Sequence, residues 1–157
     1  METIFVSIAS YRDPECQWTV KDLFEKAKYP QRIFVGICWQ FIKEEDSNCF
    51  EVETRPEQVR VIEIDALSAK GASWAKKQAM SLWQGEDYIL NIDSHMRFAQ
   101  DWDKQMINTL SMCSSEKAIL STYPAEYIPP NNLTISTPHL VAKKFDENSN
   151  ILHLRSY

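Results

Sequence analysis

Short apolar runs alternate along this chain with stretches of helical spacing, and that alternation predicts the architecture before any single residue is considered. Residues 4–9 (Ile-Phe-Val-Ser-Ile-Ala) are β-branched and aromatic and read as a first core strand. Val20, Leu23, Phe24 and Ala27 then fall at i, i+3, i+4 and i+7, the stripe of an amphipathic helix. Thr19, with Asp22 three residues on, reads as the cap of that helix, and Pro30 as its end. Residues 33–39 (Ile-Phe-Val-Gly-Ile-Cys-Trp) form a second, almost wholly apolar run. Strand, helix, strand at this spacing is a βαβ unit, which implies a parallel sheet.

The pattern continues in the same register. Residues 44–48 are a polar excursion, read as a solvated loop, and residues 59–64 are a third strand, interrupted by charge, nearer an edge and ending at Asp65. Ala75, Ala79, Leu82 and Trp83 continue a helical face that Gly85 is expected to stop. Residues 88–92 are a fourth apolar strand. Trp102, Met106, Leu110 and Cys113 mark the buried side of a further helix, with Asp101 and Asp103 placed to suit its dipole. Residues 118–122 (Ala-Ile-Leu-Ser-Thr) read as a fifth strand. Beyond it the signal weakens to a proline-rich connector at 128–132 and short β-like pieces at 133–135, 140–142 and 151–154.

Composition narrows the class. With 157 residues, 44% apolar and 25% charged, the chain is sized and composed as a soluble globular domain with a real core. A formal charge of −5 argues against nucleic acid as a partner, because phosphate backbones demand a basic face. The four cysteines (Cys16, Cys38, Cys49 and Cys113) have neither CxxC pairing nor regular spacing, so buried free thiols are expected. The first apolar run is too short for a secretory leader, and no segment has the length of a membrane span. These features read as a cytoplasmic protein, in which the sequon at Asn132-Leu133-Thr134 carries no meaning.

Chemistry concentrates where the fourth strand ends, on Asp93-Ser94-His95. Ligands of open α/β sheets bind outside the carboxyl ends of the strands. If the tip stays extended, Asp93 and His95 share a side of it, since side chains alternate with period two. One hard oxygen and one borderline nitrogen suit Mn²⁺ or Mg²⁺ bridging a phosphate-bearing substrate. Asp-Ser-His is equally ordinary turn material, and two ligands fall short of a closed site. The Lys70-Gly71 turn would let backbone N–H groups approach an anion at a helix start, and would serve as well as a plain structural turn.

With these pieces in place the chain resembles a known family. The segments Phe5 through Pro14, Val35-Gly36-Ile37-Cys38-Trp39-Gln40, Gly71-Ala72-Ser73-Trp74-Ala75-Lys76, Tyr88 through Phe98 and Trp102-Asp103 resemble the polypeptide N-acetylglucosaminyltransferases that modify hydroxyproline on the cytoplasmic protein Skp1. The likeness runs in register over about the first 125 residues. It implies a Rossmann-like α/β sandwich of the glycosyltransferase A type, a mostly parallel central sheet with helices on both faces. It also implies a nucleotide-sugar-binding domain over 1–125, and over 126–157 the start of an incomplete acceptor half, since that family's chains run well beyond this length.

By the same resemblance Asp93 and His95 would be metal ligands in a DxH motif, with Ser94 beside them, holding Mn²⁺ or Mg²⁺ against the diphosphate of a UDP-sugar. Ser10, Tyr11 and Arg12 would line the uridine pocket, Asp65 would read uracil or ribose, and Lys76 stands where the family tends to carry arginine. No catalytic nucleophile can be named. His139 or His153 would be candidates for a third ligand, although a lone histidine in a short β-like piece is more often structural. The implied activity is a metal-dependent, retaining transfer of N-acetylglucosamine from UDP-N-acetylglucosamine to a protein hydroxyl (hydroxyproline, Ser or Thr). The alternative is a truncated, non-catalytic UDP-sugar-binding or protein-interaction module of the same fold. An unrelated metal phosphohydrolase would need further Asp and His clusters that the chain lacks.

Overall fold

A computed structural model describes residues 2–47, 51–115, 117–122, 124–133, 140–148 and 151–156, with the backbone alone at 140–142 and 151–156. Within them the chain divides into two compact units, Met1–Thr109 and Leu110–Tyr157.

The first unit is an α/β layer structure. Four strands, β1 (Ile4–Tyr11), β2 (Ile33–Phe41), β3 (Val59–Asp65) and β4 (Tyr88–Asp93), form one parallel sheet in the order β3-β2-β1-β4. Three helices accompany it: α1 (Cys16–Lys26), α2 (Ala72–Met80) and α3 (Trp102–Ser111). Period-two alternation divides the strand side chains between two faces. On one face Val6 and Ile8 of β1 and Val35, Ile37 and Trp39 of β2 pack with Val20, Leu23 and Phe24 of α1 and Trp102 of α3. On the other, Cys38 of β2 packs with Ala75 and Ala79 of α2. The parallel sheet is thus the one the apolar pattern predicts, and the Rossmann-like arrangement, with helices on both faces, is the one the family resemblance implies. β3 lies at an edge, as its charged interruptions imply.

Gly36 shows how closely α2 approaches the sheet. A Cβ there would stand 2.3 Å from Cζ of Phe5 and 3.0 Å from the carbonyl oxygen of Ala79. Both neighbours belong to packed elements, and neither can withdraw cheaply. Gly36→Ala is therefore expected to cost about 1–3 kcal/mol of stability through overpacking. The urea midpoint should fall at unchanged m-value, and an unshifted midpoint would contradict the packing described.

Four element expectations need correction. α1 begins at Cys16, so Thr19 lies inside the helix, not at its cap. α2 ends at Met80; Leu82 and Trp83 follow in i→i+3 turns, and Gly85 (φ 101°) comes later as a left-handed turn residue. Cys113 lies beyond α3 and is exposed, and Ile107 packs on the core instead. Residues 118–122 form no strand. With Ile119 90% exposed, nothing there rewards an extended run with burial.

The second unit holds two antiparallel pairs, β5 (Tyr127–Ile128) with β6 (Asn132–Leu133) and β7 (Leu140–Asp146) with β8 (Ile151–Ser156). The β-like pieces at 140–142 and 151–154 are thus parts of a longer ladder. Cys16, Cys38 and Cys113 are free thiols; Cys49, His139 and the side chain of His153 lie outside the described residues. Among the described residues, no helix is long and apolar enough to cross a membrane.

Candidate active site

The strand order contains its own pointer to a site. From β1 the chain steps to β2 and then β3 on one side, and places β4 on the other side of β1. The strand order reverses between β1 and β4, and at such a switch point, outside the carboxyl ends of the strands, ligands of α/β sheets bind. Asp93 is the last residue of β4, opposite Ala9 of β1, and is exposed. Among the described residues nothing pairs with its carboxylate. Directly after it the chain bends at Ser94 and His95, so strict alternation ends with Asp93. The expectation that Asp93 and His95 share a direction because the tip stays extended does not carry over to this backbone.

His95 is held by another contact. Its Nδ1 lies 2.8 Å from Oδ2 of Asp13, and the imidazole side chain is 60% exposed. The same Oδ2 accepts a 2.6 Å hydrogen bond from the Ser94 hydroxyl, while Oδ1 accepts from the backbone N–H of Glu15. Burial is the largest single influence on the Asp13 carboxyl and opposes its ionisation. The hydrogen bonds from Ser94, His95 and the Glu15 backbone together outweigh it and hold the group below the ordinary carboxylate range.

Asp13 is one of a row of staples between the β1–α1 connection and the segment that leaves β4. The Thr19 hydroxyl donates to the carbonyl of Ser94 (2.7 Å) and accepts from the N–H of Met96 (2.8 Å). Asp22 accepts from the N–H of Phe98 at 2.7 Å. Glu15 pairs with Arg97 at 2.6 Å, and the arginine side chain is only 5% exposed. Thr19 and Asp22, which the sequence presents as a helix cap, thus shape the loop behind Asp93. Their spacing of three puts both on the same side of α1.

The other predicted residues fall into two groups. Ser10 is fully buried, and its hydroxyl has no partner among the described residues; Ser94 is buried with its hydroxyl committed to Asp13. The Arg12 guanidinium (backbone φ 49°) is engaged by Asp46 at 2.7 and 3.0 Å and by Glu45 at 2.8 Å, and Asp46 also accepts from the N–H of Ile42. Arg12 therefore ties down the loop after β2. In contrast, Tyr11 (56% exposed) and Lys76 present their side chains to solvent. Asp65 is exposed and caps a one-turn 3₁₀ segment by accepting from the N–H of Leu67. A cleft of about 400 Å³ opens beside it at the carboxyl ends of β2 and β3, with Phe41, Ile42 and Leu67 as apolar lining and Lys43, Glu44 and Glu63 around them. The cleft and the switch point occupy neighbouring strand ends on one edge of the sheet.

Asp93 offers an unpaired carboxylate and His95 an imidazole with one nitrogen committed to Asp13, and among the described residues no contact joins the two. That chemistry suits a hard divalent cation that completes its shell with phosphate oxygens and water. No group of three or more Asp, Glu, His or Cys side chains stands ready for a metal among the described residues. A family model described as glycosyltransferase (GlcNAc) matches residues 3–57 and 51–157. The chain belongs to the glycosyltransferase (GlcNAc) family. Membership makes it a transferase with a sugar donor and an acceptor. No curated protein and no solved structure matches the chain.

Sequence reasoning missed Asp13, Glu15, Asp22 and Arg97 as parts of the site. Asp13 was the one within reach, because it follows the strand that neighbours β4 at the switch point. The others carry no local signature, being matched only by the packing of α1 beneath residues 94–98.

Proposed function

We propose that this glycosyltransferase moves N-acetylglucosamine from UDP-N-acetylglucosamine to a protein hydroxyl, with Mn²⁺ or Mg²⁺ held by Asp93 and His95. The observation that carries the reading is the unpaired Asp93 carboxylate at the sheet's switch point in a chain of this family. When bound there, such a cation would supply Lewis-acid neutralisation of charge on the departing diphosphate. The chain's own groups do the rest. α2 begins at Ala72, after Gly71 (φ 92°), and its first N–H groups have no intrahelical partner, which favours an anion in front of them. Lys76, exposed in the second turn of that helix, adds a positive charge without the bidentate fork of an arginine.

The cleft beside Asp65 suits the nucleoside. Its apolar lining takes the face of a base, and three carboxylates (Glu44, Glu63, Asp65) against Lys43 suit hydroxyl donors and disfavour phosphate. Ser10 and Arg12 contribute by shaping the strand ends, the first from the core and the second by fixing residues 42–46 through Asp46. Positioning of donor and acceptor, together with charge neutralisation, accounts for the catalysis; no protein nucleophile is invoked.

Calorimetric titration of UDP with and without Mn²⁺, followed by release of UDP from UDP-N-acetylglucosamine in the presence of hydroxyproline, serine and threonine peptides, tests this reading. Binding that strengthens with Mn²⁺ and turnover that requires a hydroxyl acceptor are expected. UDP binding indifferent to the metal would sink the metal-dependent mechanism. Metal-dependent binding without turnover on any acceptor would leave a UDP-sugar-binding module in its place.

A further inference from the structure

Asp13 is aimed at the site and yet is poorly placed to be a ligand in it. Both of its oxygens are already used: Oδ1 by the Glu15 N–H at 2.9 Å, and Oδ2 by the Ser94 hydroxyl at 2.6 Å and His95 Nδ1 at 2.8 Å. Its side chain is 16% exposed, whereas that of His95 is 60% exposed. An ionised carboxylate accepts hydrogen bonds and donates none, so a 2.8 Å contact to Nδ1 requires that nitrogen to carry a proton. In a neutral imidazole the other nitrogen, Nε2, is then the one with a free lone pair. Which nitrogen of a histidine binds a ligand is decided by the hydrogen bond the other one makes.

We propose that Asp13 is a positioning residue that fixes His95 as its Nδ1–H tautomer and turns Nε2 outward as the ligating atom. The identity of what Nε2 binds rests on the metal reading above; the tautomer does not. Ser94 completes the device. Its hydroxyl donates to the same oxygen from the position before His95, so the carboxylate is gripped by two consecutive residues of the β4 exit and its orientation is set by the backbone it serves. The signal in the sequence is an acid two residues past the end of β1, beside the Ser-His that follows its parallel neighbour β4.

The tautomer is read directly by long-range ¹H–¹⁵N correlation on the full, ¹⁵N-labelled chain at about pH 8.5, where an ordinary imidazole is neutral. The His95 signals are assigned by their loss in His95→Gln. The intact chain should show the proton on Nδ1. Asp13→Ala should give a mixture of both tautomers, and Mn²⁺ affinity, measured from the free-ion electron paramagnetic resonance signal, should fall roughly 10–100-fold. Asp13→Asn keeps an acceptor for the Glu15 N–H, so it remains informative if the alanine variant does not fold, and should lose several-fold. Asp22→Ala disturbs the same loop through the Phe98 N–H without touching Asp13 or His95, and should leave the tautomer unchanged, which separates positioning from a general structural role.

A proton on Nε2 in the intact chain, or an Asp13→Ala variant with the original tautomer and undiminished Mn²⁺ affinity, would overturn the proposal. If the intact chain binds no Mn²⁺, the metal reading fails. The tautomer comparison then still decides the role of Asp13 by itself.

Discussion

Asp93→Ala is expected to abolish the Mn²⁺ dependence of UDP binding and to lower kcat/KM for sugar transfer by roughly 10²–10³-fold, the loss found when one group aimed at developing charge is removed. Stability should hardly change. The carboxylate is exposed and has no partner among the described residues, so its removal breaks no contact and leaves no buried group unsatisfied. Surface changes of that kind stay within about 0.5 kcal/mol. A large functional loss beside an unmoved urea midpoint is the signature of a group kept for chemistry. Asp93→Asn should retain part of the binding, since an amide oxygen still ligates a hard cation while carrying no charge. Full activity in Asp93→Ala, or a loss of activity that tracks a loss of stability, would remove this carboxylate from the mechanism.

How much of this could be read from the sequence depends on the range over which each feature is encoded. Strands β1, β2 and β4 were legible as short apolar runs and β3 as a run interrupted by charge, and the parallel pairing of β1 with β2 follows from the helix between them. Asp93 stood out for a similar local reason, a carboxylate where an apolar run ends, although β4 is an edge strand with alternate residues exposed and not a buried one. Residues 118–122 have the same local look and form no strand, because composition cannot show whether a partner and a covering layer are supplied. Thr19 and Asp22 mislead in the opposite sense. They have the spacing of a helix cap, but their oxygens serve residues 94–98, more than 70 positions away in the chain. Arg12 illustrates the limit for site residues. Its position at the tip of the first strand suits the uridine pocket, and only the fold reveals that Asp46 and Glu45 have already engaged it. Residue type and strand end are local facts; whether a charge is free is a tertiary one.

Trp102→Ala should be the most destabilising single change in the first unit, at about 3–5 kcal/mol, the range for truncating a large buried aromatic. Trp102 is 3% exposed, and its ring packs on Phe98 with centroids 4.8 Å apart. Its position also closes the end of α1. A helix leaves its last four carbonyls without intrahelical partners. Here the Trp102 indole N–H donates to the carbonyl of Leu23 at 2.9 Å, and the Asp101 N–H donates to that of Lys26 at 2.7 Å. The buried Asp103 carboxylate takes the N–H groups of Lys28 and Tyr29 just beyond. The negative charge at the start of α3 is therefore committed to the turn after α1, more than to the dipole of its own helix. Alanine at 102 leaves a cavity and an unpaired Leu23 carbonyl together. Against a typical total of about 5–15 kcal/mol, that is enough to lower Tm by on the order of 10 °C. Trp102→Phe keeps most of the ring and loses the donor, so it should cost about 1–3 kcal/mol. The comparison bears on the site as well, because Phe98 sits at the end of the loop that Thr19, Asp22 and Asp13 hold behind Asp93. If packing at Trp102 keeps that loop in place, Trp102→Ala should weaken UDP binding even at temperatures where the variant is folded, and Trp102→Phe should not. Equal UDP affinity in the folded alanine variant would confine Trp102 to stability and leave the geometry of the strand end to the α1 staples alone.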